Sequence, residues 1–294
     1  MDFFHFVPKL LPNRLMTLVE LVKFEHTIFA LPFAYLGAIL ACEGIPSLYY
    51  WVWITLAMIG ARTAGMALNR LIDRCIDAKN PRTQNRALPR GLIPLGQVWL
   101  LILGSFILLL FSAYKLNPLC LILSPLAVAL LVCYSWMKRF TWLSHLGLGA
   151  VLACAPIGGW LAIHGRFDII PMILGLGVLL WAAGFDLIYA TQDVDFDRQN
   201  RLYSIPQSFG IKNALLISRS FHILTVVALI VIGNMASLGL YYLFGVAITT
   251  ILLIYEHRLV SPTDLSRVNQ AFFTINGWIS VGLLGFTIVD VILW

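Results

Sequence analysis

The chain has 294 residues, is 60% hydrophobic and only 12% charged, and carries a formal net charge of +6. Long apolar stretches alternate with short polar connections, which excludes an ordinary soluble domain and predicts an all-α polytopic membrane protein, because a bilayer interior satisfies backbone hydrogen bonds only within helices or closed barrels. The basic surplus lacks the aromatic-basic surface that nucleic acid requires, so no nucleic-acid partner is expected; membrane lipids with anionic headgroups account for it instead.

Taken in chain order, residues 1–23 interleave Phe4, Phe6, Leu10, Leu11, Leu15, Leu18 and Val22 with polar groups and read as an interfacial helix. No small-residue cleavage site follows a short apolar run, so this is not read as a signal peptide. Residues 24–294 then form the transmembrane bundle of a single domain spanning 1–294. Nine transmembrane helices are predicted, at roughly 24–42, 49–69, 96–113, 117–136, 142–163, 170–190, 213–232, 236–255 and 272–292. Placing the N-terminus in the cytoplasm puts Lys9, Arg14 and Lys23, the basic residues from Arg70 to Arg90, Lys138, Arg139, Arg198, Arg201, Lys212, Arg258 and Arg267 on that side. Only Lys115 and Arg166 then fall outside, with the C-terminus, while Arg62 and Arg219 lie within spans. The five cysteines are scattered without zinc or disulfide spacing and read as small buried hydrophobes. Gly147, Gly149, Gly158 and Gly159 fit close helix contacts, as do Asn276 and Trp278 in the last span. His145 reads as a packed neutral histidine, and Arg219 with His222, three apart in the seventh span, either as cavity-lining residues or as residues with an internal ion or hydrogen-bond partner.

Two acidic segments stand out against this background. Asn69, Asp73 and Asp77 recur at steps of four at the end of the second span, on one helical stripe. Asp193 and Asp197 do the same after the sixth, with Asp186 seven residues before Asp193 and so two turns above it on that stripe. Each segment ends an even-numbered span and opens a cytoplasmic loop, which suggests two weakly related halves facing each other across a central cavity. Like charges this close call for a cation, and carboxylates with an amide oxygen favour a hard one; Mg²⁺ binds through one or two carboxylates, waters and substrate phosphates. A diphosphate held between two acidic helix ends through Mg²⁺ is the chemistry this pattern suits.

The stretch from Asn69 to Gly91 and the stretch from Asp186 to Asp197, with Ser204 to Pro206 beyond, resemble the two signature regions of the UbiA superfamily of intramembrane aromatic prenyltransferases. The resemblance covers nearly the whole chain. It implies a helical bundle around a central cavity open sideways to lipid, in which a polyprenyl diphosphate is joined to an aromatic carboxylate acceptor. It also implies Mg²⁺, as two ions bridged by the diphosphate, held by Asn69, Asp73, Asp77, Asp193 and Asp197, with Asp186 orienting the acceptor hydroxyl or shaping the electrostatics around the allylic cation. Tyr134 and Lys138 resemble the family's diphosphate-contacting pair, and Arg62, seven positions before Asn69, resembles the residue thought to hold the acceptor carboxylate. Arg82 and Arg86 belong to the matching signature.

Physical chemistry gives these positions roles. A planar guanidinium suits bidentate carboxylate binding, and Lys138, with Arg139 beside it, can stabilise departing pyrophosphate or merely obey the positive-inside pattern. The basic loop carrying Lys79, Arg82, Arg86 and Arg90 can fold as a short helix over the site, or stay a plain positive-inside loop. The acceptor implied is 4-hydroxybenzoate or a close analogue, in ubiquinone or menaquinone biosynthesis at the inner membrane. Arg70 stands where the 4-hydroxybenzoate branch commonly has Asp, which keeps 1,4-dihydroxy-6-naphthoate of the futalosine menaquinone route open. An ion-coupled secondary transporter is the rival class, and clustering of the acids at cytoplasmic ends rather than at the midplane weighs against it. No obligate protein partner is expected.

Overall fold

The computed structural model describes Leu21 and residues 27–293. The interfacial helix expected over 1–23 therefore lies, Leu21 aside, outside the described residues, as do Lys9, Arg14 and Lys23. Among the described residues the structure is helical, with no strand beyond a lone bridge between Ser261 and Asp264.

The helices are α1 (Thr27–Cys42), α2 (Leu48–Asp77), α3 (Leu95–Leu116), α4 (Pro118–Met137), α5 (Ser144–His164) and α6 (Ile169–Ala190), followed by a 3-10 turn at Thr191–Asp193. Then come the short α7 (Val194–Gln199) and α8 (Ile205–Phe209), α9 (Ile211–Met235), α10 (Leu240–Leu259), a π turn at Gln270–Ile275 and α11 (Asn276–Leu293). Eight helical segments are long and apolar enough to cross a membrane, and α1 is apolar but shorter, so all nine expected spans are helical in a multi-pass membrane protein. Large apolar side chains such as Leu100, Ile122 and Ile251 point outward, as a lipid-facing belt requires. Trp278 joins them at the surface rather than packing between helices as expected. Cys42, Cys75 and Cys133 are exposed, contrary to the buried-thiol expectation, and all five cysteines are free.

Most boundaries follow the apolar pattern, with one consequential exception. Helix α2 continues two turns past its expected end to Asp77, because Pro81 is the first helix breaker after Gly65. Its polar end therefore stays helical and carries Asn69, Asp73 and Asp77 one above another.

Local signals fix the turns. Asn117 caps α4 by accepting from the Cys120 N–H (2.9 Å) and donates to the Leu161 carbonyl (2.7 Å), tying the α3–α4 turn to the end of α5. Asp290 on α11 accepts the N–H groups of Gly239 (2.6 Å) and Tyr242 (3.1 Å), so the start of α10 is capped from another helix.

Packing places α1 against α5, α11 and α2, which closes the bundle. The α1–α5 crossing is backbone on backbone: a Cβ at Gly159 would stand 1.9 Å from the Ala34 carbonyl oxygen, so only glycine fits there. Helix α6 runs through the interior with over half its residues buried, and it delivers the second acidic segment much as α2 delivers the first.

Candidate active site

The first acidic segment occupies the last turns of α2. Asn69 Nδ2 donates to Asp73 Oδ2 (3.2 Å), leaving the Asn69 amide oxygen free of that bond. Arg139, just past the end of α4, donates to Asp73 Oδ1 (2.8 Å) and to the Ile72 carbonyl (3.0 Å) while its guanidinium stacks 4.8 Å from the Trp136 ring centre. Asp77 takes both oxygens to Arg86 Nη1 at 2.8 Å, with Arg70 at 4.0 Å. Asp73 and Asp77 are both buried.

The second segment departs from the expected stripe. Helix α6 stops at Ala190 and a 3-10 turn intervenes before α7, so Asp186, Asp193 and Asp197 are not stacked on one continuous α-helix. The interruption sends them to different partners. Asp193 accepts from Arg82 Nε (3.0 Å), Arg82 Nη2 (2.5 Å) and Asn80 Nδ2 (3.0 Å). Asp197 is buried and accepts from Ser204 Oγ (3.0 Å), the residue that caps α8. His145 Nε2 accepts the Ile205 N–H (3.3 Å), which places the ring proton on Nδ1, from which it is donated to Asp186 (2.7 Å). The packed neutral histidine of the sequence reading is thus an orienting partner of Asp186. Lys138 is close enough for its charge to act on both Asp193 and Asp197.

The loop after α2 joins the two segments. Of the two readings the sequence left open, a short helix or a plain loop, it takes the loop and folds as consecutive turns, since Pro81 and Pro89 interrupt it and Gly91 adopts φ +66°. Arg86 reaches back to Asp77, while Asn80 and Arg82 reach forward to Asp193 and the Tyr189 hydroxyl (2.7 Å). Burial draws the Arg82 guanidinium down, but its hydrogen bond to Asp193 and the surrounding acidic groups outweigh this and hold it above its ordinary value.

Beneath this charged layer lies a cavity of about 570 Å³ walled by α1 through α6 and by Phe272 of the π turn. Its lining is apolar except for a few groups, chiefly Arg62, Asn69 and Tyr134. Arg62 Nε is buried with no hydrogen-bond partner among the described residues. An unpartnered guanidinium nitrogen in an apolar wall is costly, and an entering anion would supply what it lacks. The structure therefore brings Arg62, Asn69 and Tyr134 to the cavity and gathers Asp73, Asp77, Asp186, Asp193, Asp197, Lys138, Arg82 and Arg86 toward its polar end.

Among the described residues no three His, Cys, Asp or Glu side chains converge into an all-protein metal cage. Mg²⁺ does not need one, because it takes one or two carboxylates together with waters and substrate phosphates. The donor set fits such an ion: Asp73, Asp77, Asp193 and Asp197 offer hard oxygens, and three of them now hold arginines that themselves suit phosphate.

Asn80 and Tyr189 lie within the two signature stretches but carry no charge that singles them out, and no residue near Arg139 in the chain marks its partner. Asp73 is that partner, 66 positions away.

A sequence profile of the UbiA prenyltransferase family matches residues 30–278. The 4-hydroxybenzoate octaprenyltransferase of Photobacterium profundum is 30% identical over 251 residues, 84% of this chain and 85% of that protein. The enzyme of the same name from Marinobacter nauticus is 30% identical over 272 residues, 90% of this chain and 91% of its own. Among solved structures, the apo UbiA homologue from Aeropyrum pernix K1 superposes with a TM-score of 0.83 at 36% identity, covering 90% of this chain and 98% of that one. A UbiA homologue from Archaeoglobus fulgidus bound to DMAPP and Mg²⁺ has the same fold, with a TM-score of 0.72 at 19% identity over 95% of this chain and 100% of that one.

Proposed function

The chain belongs to the UbiA prenyltransferase family and is an aromatic prenyltransferase, and from that premise we propose that it transfers a polyprenyl group from polyprenyl diphosphate to the ring of 4-hydroxybenzoate in quinone biosynthesis. The observation that carries the acceptor class is Arg62. Its Nε has no partner inside an apolar cavity whose charged end lies toward Asn69, and a bidentate aromatic carboxylate would satisfy it.

In this reading Asp73 and Asp77 on one side and Asp193 and Asp197 on the other, with the Asn69 amide oxygen, would hold two Mg²⁺ ions and, through them, the diphosphate between the two acidic segments. Such ions would supply neutralisation of the charge that grows on the leaving diphosphate. Arg82, Arg86 and Arg139 exchange carboxylates for diphosphate oxygens, and Lys138 joins them from the end of α4. The allylic C–O bond breaks with its electron pair leaving on diphosphate. A ring carbon ortho to the acceptor hydroxyl supplies the pair for the new C–C bond, and loss of the ring proton restores aromaticity. Asp186, held by His145, orients the acceptor hydroxyl, while Tyr134 in the cavity wall contacts the diphosphate together with Lys138. The apolar walls exclude water from the cation, favouring transfer over hydrolysis.

The positive-inside distribution supports a cytoplasmic N-terminus and charged layer in an inner membrane, with the C-terminus outside. The test is product formation by purified protein in lipid with Mg²⁺ and a polyprenyl diphosphate, offering 4-hydroxybenzoate and 1,4-dihydroxy-6-naphthoate in parallel with detection by mass. Prenylated 4-hydroxybenzoate supports the assignment. Product from the naphthoate alone moves it to the futalosine menaquinone route, and release of diphosphate without either product overturns both acceptors.

A further inference from the structure

A second cavity, of about 340 Å³, opens between α9 and α10 and is lined by Arg219, His222, Ile223, Ile254, His257 and Arg258 among others. We propose that this groove binds the phosphate of an anionic glycerophospholipid, with the lipid chains lying along Ile223 and Ile254.

The back wall is built and rigid. The His222 ring is buried, donates from Nε2 to the Trp181 carbonyl (3.3 Å) and meets His257 Nε2 through Nδ1 (3.0 Å). It has room only because residue 184 is glycine: a Cβ there would stand 2.3 Å from His222 Nε2. Glu256 lies behind this wall, with Oε2 3.9 Å from His222 Nδ1 and Oε1 accepting from Asn276 (3.0 Å), and it does not line the groove.

The front is cationic and unpaired. Arg219 and Arg258 are exposed, and neither forms an ion pair or hydrogen bond among the described residues. Arg219 lies eight residues, about 12 Å along the axis, inside α9, a helix long and apolar enough to cross a membrane, and an unpaired guanidinium within such a helix is costly. Basic pockets between transmembrane helices are a recurrent way of holding anionic headgroups, and the phosphate supplies the missing counter-charge. Ile223 and Ile254, strongly exposed beside it, offer the apolar surface that acyl chains need. Helix α6 separates the groove from the prenyl cavity, presenting Gly184 to His222 and Phe185 to the cavity wall.

The experiment is native mass spectrometry of the full chain titrated with phosphatidylglycerol, with phosphatidylcholine and with inorganic phosphate as comparison ligands. Arg219→Gln/Arg258→Gln is expected to weaken phosphatidylglycerol binding about 30-fold, from roughly five-fold per basic contact. Lys212→Gln/Arg267→Gln removes the same charge at the same end of the helices outside the groove and is expected to change it less than about three-fold. Ile254→Trp fills the groove with every charge in place and is expected to reproduce the loss, which covers the case that the double variant fails to fold. Equal loss in both double variants, no loss in either groove variant, or inorganic phosphate displacing the lipid would overturn the proposal.

Discussion

Arg82 and Asp193 stand 111 residues apart in the chain and meet through two hydrogen bonds of 3.0 and 2.5 Å. The loop after α2 thereby clasps the end of α6, so both acidic segments are held in one charged layer before any substrate enters. Each arginine in that layer is stored on the carboxylate that would otherwise repel its neighbours, and can be handed to an incoming diphosphate.

Breaking the clasp should therefore cost both order and chemistry. Arg82→Ala is expected to lower kcat/KM about 100-fold, the scale for losing one preorganised donor to a developing anion. Arg82→Lys keeps the charge but loses the planar fork, and should retain more activity than Arg82→Ala. Steady-state kinetics with varied prenyl diphosphate measures both.

Arg62→Ala should act on the acceptor alone. The KM for 4-hydroxybenzoate is expected to rise by about 10- to 100-fold, matching the loss of a charge-assisted hydrogen bond to a buried carboxylate. The KM for prenyl diphosphate should stay near that of the wild type, and an equal rise in both constants would place Arg62 in the diphosphate site instead.

Removing divalent metal with EDTA should abolish product, and Mg²⁺ should restore it. Asp73→Asn and Asp193→Asn each keep the side-chain shape while removing a hard anionic donor, and are expected to lose at least about 100-fold in kcat. Rescue by higher Mg²⁺ would be strongest for whichever aspartate contributes least to holding the ion.

Asp290→Ala separates stability from chemistry. It leaves the Gly239 and Tyr242 N–H groups unpaired where Asp290 is 1% exposed, and should destabilise the fold by about 1–3 kcal/mol. A thermal unfolding scan in detergent reads the loss, while turnover at low temperature should remain near wild type because the site lies on other helices.

The helices were legible because a bilayer demands long apolar segments, and the acidic segments because charge stands out within them. Partnership was not legible. Asp73 meets Arg139 across 66 positions, and no local pattern encodes that contact. The break at Thr191 carries no glycine or proline to announce it, and it decides that Asp193 turns to Arg82 while Asp197 turns to Ser204. Trp278 shows a further limit: in lipid an outward aromatic and a packed one are equally apolar, so hydropathy alone does not orient a helix face. Arg62 stood out as an arginine within a span, yet only the folded cavity shows that its Nε lacks a partner.

The scattered cysteines give the protein its own topological reporters. Cys42 closes α1 and Cys75 lies near the far end of the antiparallel α2, so once the third exposed thiol is removed by Cys133→Ser, two exposed, unbridged thiols mark opposite faces of the bundle. A membrane-impermeant maleimide added to sealed, oriented vesicles would tag one and spare the other, assigning the sidedness of the charged layer without adding a fusion or an epitope.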